Sequence, residues 1–362
     1  MPGLNASTHS ILVLQHDNAE EFLECTYPTL ERHETSANII LAHALKRVGA
    51  EVALASYLPF LTDAHAEASL RRLNHSSYSP HRTDDSFWLT LWSATPSGHP
   101  ALELVLSCLN WTLGNYPVFL WTPRRPGTFP SDWLNPRIAQ LTEHLRLCVP
   151  PERVFSVFGM TQLVKTFARR WSSATGFRVD PEPFYAAHFS YCDPTTFQAA
   201  DVWLPQGHAL RKAGYRDLEA VAQLCKEFAD ESVFFPLTTE RATIEAHELI
   251  MKGQIWVYDA SGDIATVCAV TRNSLHVSAI TKVYTTPAWR RHGCAEFLVR
   301  EVTRRILFES GKDCVVLYVG HDNNAQRVYD RVGYAGLCGK DKSDRIEDSL
   351  ELGFVGAHRG HW

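Results

Sequence analysis

The stretch Val283-Tyr284-Thr285-Thr286-Pro287-Ala288-Trp289-Arg290-Arg291-His292-Gly293-Cys294-Ala295 holds the residues of this chain best suited to chemistry. It runs from an apolar strand through a proline turn and a basic, glycine-bearing loop into a long amphipathic helix. Backbone N–H groups at a helix N-terminus have no partner within the helix, and the aligned peptide dipoles leave about half a positive charge there. Such an end suits an anion, and here the pattern points to a pyrophosphate. Gly293 lets the backbone approach phosphate oxygens with no Cβ between, Ala295 keeps the first turn narrow, and Arg290, Arg291 and His292 bring basic side chains alongside. The blander alternative is a strand that happens to enter a basic helix start, so the neighbouring elements decide.

At 362 residues the chain favours two domains, with a boundary near residue 200. In residues 1–200, the apolar periodicity over 17–49 predicts two helices separated at Pro28. Strand-like segments follow at Phe87, Leu89 and Leu91, at Leu102, Leu104 and Leu106, and over Val118 to Trp121, with a turn at Pro96-Ser97-Gly98-His99-Pro100. Helices over 132–147 and 160–172 flank a short strand at 154–158. Residues 175–207, rich in Pro, Asp, Tyr and Phe, read as an irregular junction. In residues 201–362 the predicted order is β-α-α-β-β-β-α-β-α-β-β. It includes a three-stranded antiparallel meander over 254–285, a helix over 293–311 closed by Gly311, a buried strand at Val315 to Val319, a helix over 322–331 and a final strand pair ending near Phe354. The fold class is therefore α/β, an α+β arrangement on a mixed sheet.

Composition narrows the partners. Hydrophobic residues make up 45% and charged residues 21%, and the formal net charge is -5, so there is no basic footprint for nucleic acid. No window approaches the roughly 18 apolar residues of a membrane span, and the N-terminus has no secretory pattern. Nine cysteines, odd in number and without a C-x-x-C pair, fit a reducing compartment, and the expectation is a soluble, cytoplasmic protein. The 17 histidines include no H-E-x-x-H, and His358 and His361 fall in an apparent tail, so no metal site is expected. The glycine loop lacks G-x-x-x-x-G-K-[ST], which argues against a nucleoside triphosphatase.

Element order and loop together resemble the GNAT superfamily of acyl-CoA-dependent N-acetyltransferases over residues 209–354. The family's acetyl-CoA loop, Q/R-x-x-G-x-G/A, stands here as Arg290-Arg291-His292-Gly293-Cys294-Ala295. One helix and one strand later comes a segment with Asn323, Asn324 and Ala325, then Tyr329 four residues before Gly333-Tyr334. In the family this segment supplies an Asn that helps hold the cofactor and a Tyr near its sulfur. The usual N-x-x-A register puts Asp322 at the Asn position, so the choice between Asn323 and Asn324 stays open. The first half resembles the degenerate, GNAT-like N-terminal domain of two-domain members, one that shapes the acceptor site. Leu120-Trp121-Thr122-Pro123-Arg124-Arg125 echoes the segment from Val283, but Pro126 removes a donor and Phe129 stands where a small residue is wanted. The ending Leu350-Glu351-Leu352-Gly353-Phe354 with Gly360-His361-Trp362 is similar to fungal members.

The resemblance implies acetyl-CoA as cosubstrate and acetyl transfer to an amine. Strand-edge groups at Val283, Tyr284 and Thr285 then pair with the pantetheine amides, the N–H groups from Arg291 to Ala295 hold phosphates, and Tyr329 donates a proton to the departing thiolate. For the general base, His276 on the meander, Glu231 and Glu240 remain candidates beside a chain of waters. The aromatic loop Ser232-Val233-Phe234-Phe235-Pro236-Leu237 serves either as a wall of an acceptor pocket or as a hydrophobic clasp. With no charged docking tract, a small amine or amino-acid-like acceptor is preferred to a protein lysine or N-terminus. A longer acyl chain, or a protein that binds acyl-CoA without turnover, remain the alternatives, and oligomeric state is not legible.

Overall fold

Period-two apolar runs build a single sheet in this protein, and amphipathic helices cover it. The computed structural model describes residues 11–49, 54, 56–75, 80–95, 99–201, 203–231, 234–344 and 346–361. Pro96, Ser97 and Gly98 of the expected turn, Ser232 and Val233 of the aromatic loop, and Trp362 lie outside these residues. The first half contains β1 (Ile11–His16), α1 (Ala19–Arg32), α2 (Glu34–Val48), α3 (Asp63–His75), β2 (Phe87–Ala94), β3 (Pro100–Trp111), β4 (Gly114–Trp121), α4 (Ser131–Cys148), β5 (Ser156–Met160), α5 (Thr161–Thr175) and β6 (Tyr185–Cys192). The second contains β7 (His208–Lys212), α6 (Leu218–Asp230), α7 (Thr239–Met251), β8 (Ile255–Ala260), β9 (Asp263–Asn273), β10 (Val277–Thr285), α8 (Cys294–Arg304), β11 (Cys314–Gly320), α9 (Gln326–Val332) and β12 (Ser349–Gly353).

The strands form one twelve-stranded mixed sheet in the order β1-β2-β3-β4-β5-β12-β6-β11-β10-β9-β8-β7. Each half repeats one unit: a meander leads to a strand, a helix, a second strand parallel to the first, and a second helix. These are β4-α4-β5-α5 and β10-α8-β11-α9, with parallel pairs β4·β5 and β10·β11. The halves then exchange strands. β6, from before residue 200, pairs with β11, whereas β12, from the end of the chain, pairs with β5, and the two exchanged strands meet each other at the centre. Burial of Leu298, Val299 and Val302 on α8 against Val315 and Leu317 covers one face in the second half. Leu141, Leu145, Phe167 and Trp171 do the same on α4 and α5 in the first. A fully buried side chain of this size stabilises by about 1.5–3 kcal/mol. On the opposite face α2 packs against β4, β9 and β10, spanning both halves.

Several expectations are corrected. Pro28 lies inside α1, and the break falls at His33, whose backbone leaves the helical region (φ -122, ψ 25). The stretch 175–207 contains β6, whose alternating Tyr185, Ala187, Phe189 and Tyr191 are masked in sequence by the Pro and Asp residues around them. The final strand pair is one strand, β12, plus an isolated bridge between Val179 and Phe354. The late helix begins at Gln326, after a turn held by Asn323. β1 and α3 were not anticipated.

Candidate active site

Two strands that are held on their outer sides but not on their inner sides must part. Parallel pairing of β10 with β11 covers only Val277–Ala279 against Cys314–Val316. β9 stays paired to β10 as far as Thr285, and β6 to β11 as far as Gly320. Register shifts on either side of Ile280 place a bulge in β10 where the parting begins, adding twist to the strand. The inner edges from Ile280 and from Leu317 onward thus bound a wedge between the strands. The corresponding pair in the first half stays closed. β4 and β5 pair through Leu120 and Gly159, and a Cβ at Gly159 would lie 2.5 Å from the Leu120 carbonyl oxygen.

The basic loop closes the end of the wedge. After a short turn at Pro287–Trp289, Arg291 (φ 67) and Gly293 (φ 78) both adopt left-handed backbone, and Gly293 starts α8. For Arg291 this conformation costs about 1–2 kcal/mol, so the loop holds strain where donors gather. Among the described residues, the N–H groups of Arg291, His292 and Gly293 meet no backbone acceptor. They lie beside the positive end of α8. A Cβ on Gly293 would come within 3.2 Å of the Phe297 ring. Arg290 folds back on its own strand: Nε donates to the Thr285 carbonyl (3.1 Å), and Nη2 donates to Glu231 (2.6 Å) and the Tyr284 hydroxyl (3.2 Å). It braces the loop with its guanidinium engaged. Arg291 makes no ion pair or side-chain hydrogen bond among the described residues and is exposed, as is His292, whose Nδ1 sits 3.0 Å from the Arg290 carbonyl. Cys294 and Ala295 form the first turn, with the Cys294 thiol buried and its pKa raised chiefly by that burial.

The other wall carries Tyr329. Asn323 accepts the Ala325 N–H through Oδ1 (2.8 Å) and so initiates α9, whereas the exposed Asn324 side chain is not used in that turn. Tyr329 is buried in the cluster that also contains Cys268, Ile280, Val283 and Val319 from the strands around the wedge. Burial, reinforced by Cys268 and Tyr185, pushes its phenol pKa far up and keeps it protonated. Its hydroxyl has no hydrogen bond among the described residues. Cys268 pairs in register with Val283, so Tyr329 and the end of β10 share one region.

The candidate bases do not share it. His276 lies in the turn before β10, about 30 Å along the strand from Thr285, with Nδ1 3.2 Å from Asp313. Glu240 is exposed in the first turn of α7, where the helix-start N–H and the Thr238 hydroxyl hold its carboxyl below the ordinary range. Glu231 reaches the loop, but as the partner of Arg290. Phe234 stacks on Phe184 (4.3 Å between centroids) and Phe235 packs edge-on to Phe155 (6.1 Å), so the described part of the aromatic loop clasps the second half to the first.

The α2-covered face brings together residues that sequence reasoning missed. Glu351 of β12 is fully buried opposite Phe158 and Tyr185. The Ser156 hydroxyl donates to its Oε1 (2.6 Å), and Oε2 is buried without a partner among the described residues. Burial pushes its pKa up to about 8. Arg272 is buried beside Tyr318 (5.5 Å from guanidinium to ring centroid), within electrostatic reach of Tyr116 and Tyr185. Asn38 of α2 is buried with both amide atoms unpartnered among the described residues. These groups come from six strands and one helix, and no spacing in the sequence links them.

Residues 261–342, which span the last strands of the meander, the loop and α9, match the family described as FR47-like protein. A solved Drosophila protein aligns with a TM-score of 0.51 at 13% identity, over 81% of this chain and 91% of that one. A GCN5-related N-acetyltransferase from Sphaerobacter thermophilus gives 0.48 at 18% identity over 97% and 96% of the two chains. A tandem GNAT protein from the clavulanic acid biosynthesis pathway gives 0.45 at 13% over 97% and 99%. No curated protein sequence matches significantly. The family match thus covers residues 261–342 only, and with the Drosophila protein the chain shares a fold, here helices on a mixed α/β sheet.

Proposed function

We propose that the protein transfers an acetyl group from acetyl-CoA to the amine of a small or amino-acid-like acceptor. The observation that carries this reading is the convergence, in the second half only, of an open wedge between β10 and β11, a donor-rich loop at its end and Tyr329 on its wall. The N–H groups from Arg291 to Ala295, with the Arg291 side chain, take the pyrophosphate, and Asn324, whose amide has no partner among the described residues, adds to them. The β10 edge at Val283, Tyr284 and Thr285 takes the pantetheine amides as an added strand, fixing the thioester near Tyr329. The acceptor nitrogen attacks the thioester carbon from the α2-covered side. The C–N bond forms, the C–S bond breaks, and the Tyr329 phenol gives its proton to the sulfur while water in the wedge takes the proton leaving the amine. The first half, with its strands closed and Pro126 in its loop, supplies α2 and shapes the acceptor side.

Release of free CoA from acetyl-CoA across a panel of small amines, amino acids and lysine peptides tests this. Turnover with a small amine is expected. Tight CoA binding with no turnover on any amine would replace the proposal with a binding protein, and turnover only with peptides would move the acceptor class.

A further inference from the structure

Three elements that meet where the strands are exchanged carry metal-ligating side chains outside the wedge. His188 lies on β6, His321 directly follows β11, and Asp348 directly precedes β12. Each offers one ligand atom, and the three atoms lie within 4.8 Å of one another. His188 Nδ1 is 3.1 Å and His321 Nε2 is 3.5 Å from the same oxygen, Asp348 Oδ2. The two rings lie 4.4 Å apart between centroids. We propose that His188, His321 and Asp348 bind a zinc-class divalent cation, with water as the fourth ligand.

Geometry and donor chemistry support this. A tetrahedral shell with arms of about 2.0–2.1 Å sets neighbouring ligand atoms about 3.3–3.4 Å apart, and the two separations above fall on either side of that value. Two imidazoles and one carboxylate are a donor set that zinc accepts while keeping one open position. The three side chains are 27%, 41% and 31% exposed, so that position faces solvent. Lys342 pairs with the other Asp348 oxygen, Oδ1, and Glu347 lies next in sequence. A ligating carboxylate held through its second oxygen is the usual outer-shell arrangement. The ligands also sit on rigid elements. β6 pairs with β11 through His188 and Val319, the His321 N–H donates to the Ala186 carbonyl (3.0 Å), and the Gln326 amide donates to the Gly320 and His321 carbonyls (3.1 and 2.6 Å). An ion here pins β6, β11 and β12 together and fixes the turn that leads into α9 and Tyr329. His188 and Asp348 stand 160 residues apart, which hides the site from motif reasoning.

The test is metal binding by the full chain after chelator treatment, read independently of acetyl transfer. Zn²⁺ is titrated by calorimetry, and Co²⁺ by the visible absorption of a four-coordinate ion. One ion per chain is expected, together with a higher thermal midpoint in Zn²⁺ than in EDTA. The His188→Gln, His321→Gln double variant is expected to bind at least about tenfold more weakly and to lose the thermal gain. If that variant fails to fold, Asp348→Asn, which keeps both rings, carries the same expectation. Absence of stoichiometric binding overturns the proposal, and so does equal binding by the variants, which would place the ion elsewhere.

Discussion

Tyr329 and Glu351 are both buried ionisable groups, but they meet the wedge differently. The Tyr329 hydroxyl stands in the cluster around the open strands with its proton retained at all working pH values, the state an acid needs. Tyr329→Phe is expected to lower kcat about 10²-fold, the lower range for a positioned acid, with CoA affinity nearly unchanged. Equal loss in the two would return this residue to the core. Glu351 is sealed at the sheet centre with its carboxyl raised to about 8 from an ordinary 4.5. Below 4.5 the folded and unfolded forms are both protonated and the pH-dependent cost vanishes. Between 4.5 and 8 the unfolded chain ionises while the folded one does not, so folding loses about 1.4 kcal/mol per unit of pH until the folded group itself ionises. Stability should therefore fall as pH rises through this window. Glu351→Gln should flatten thermal midpoints measured from pH 4.5 to 8.5, and an unchanged slope would assign the loss to other groups. The base candidates teach the complementary lesson. His276, Glu231 and Glu240 have the right chemistry, but one lies at the wrong strand end, one is bound to Arg290 and one serves a helix start.

At the scale of elements, the loop from Thr286 to Gly293 works through its backbone. Gly293→Ala puts a Cβ on a left-handed residue 3.2 Å from Phe297. The expected cost is about 1 kcal/mol in stability, with a larger loss in CoA affinity, measured by denaturant titration and calorimetry; unaltered CoA binding would remove the loop from the site. The strand beneath it is fixed by a second device. Lys282 of β10, nearly buried, pairs with Glu245 of α7 at 2.6 Å and lies over the Phe228 ring of α6. Breaking a buried pair from one side leaves an uncompensated charge, so Glu245→Ala should cost about 3–5 kcal/mol in urea unfolding. Most of these elements were legible beforehand. The meander, the loop, α8 and β11 show regular apolar periods ended by Gly, Pro or Asp, signals that are local. β6 was not, because the Pro and Asp residues around it hide its alternation, and its partners β11 and β12 lie far away in sequence.

The whole molecule is two similar units that cannot be cut apart between residues 200 and 201 without cost. Each unit's part of the single sheet is completed by a strand from the other side of that boundary. Residues 201–362 expressed alone would leave the edge of β11 unpaired and β12 without β5, and are expected to aggregate or lack sharp thermal unfolding. Addition of residues 1–200 in trans should restore a cooperative transition. A folded, monomeric fragment would refute this dependence. The two units differ at their parallel strand pairs. Both parallel pairs comprise three residue pairs, but β10 runs on to Thr285 beyond its pairing whereas β4 ends at Trp121, one residue past Leu120, and the buried Phe129 stacks on Trp133.

By itself the sequence determined most of the local backbone: which of its strongly periodic segments are strands or helices, where glycine permits left-handed turns, and that a strand, a basic glycine-bearing loop and a tyrosine-bearing helix follow in a set order. Those properties reside in a few neighbouring residues and survive reading in one dimension. Only the tertiary structure decided that the strands part in one half, that Arg290 is bound to Glu231, that Asn323 is committed to a turn, and that Glu351, Arg272 and Asn38 share a buried face with no local signature. It also decided that His188, His321 and Asp348 meet. The reason is that pairing, desolvation and ligand geometry depend on distances across the fold, and exchange of β6 and β12 brings together residues that the chain keeps furthest apart.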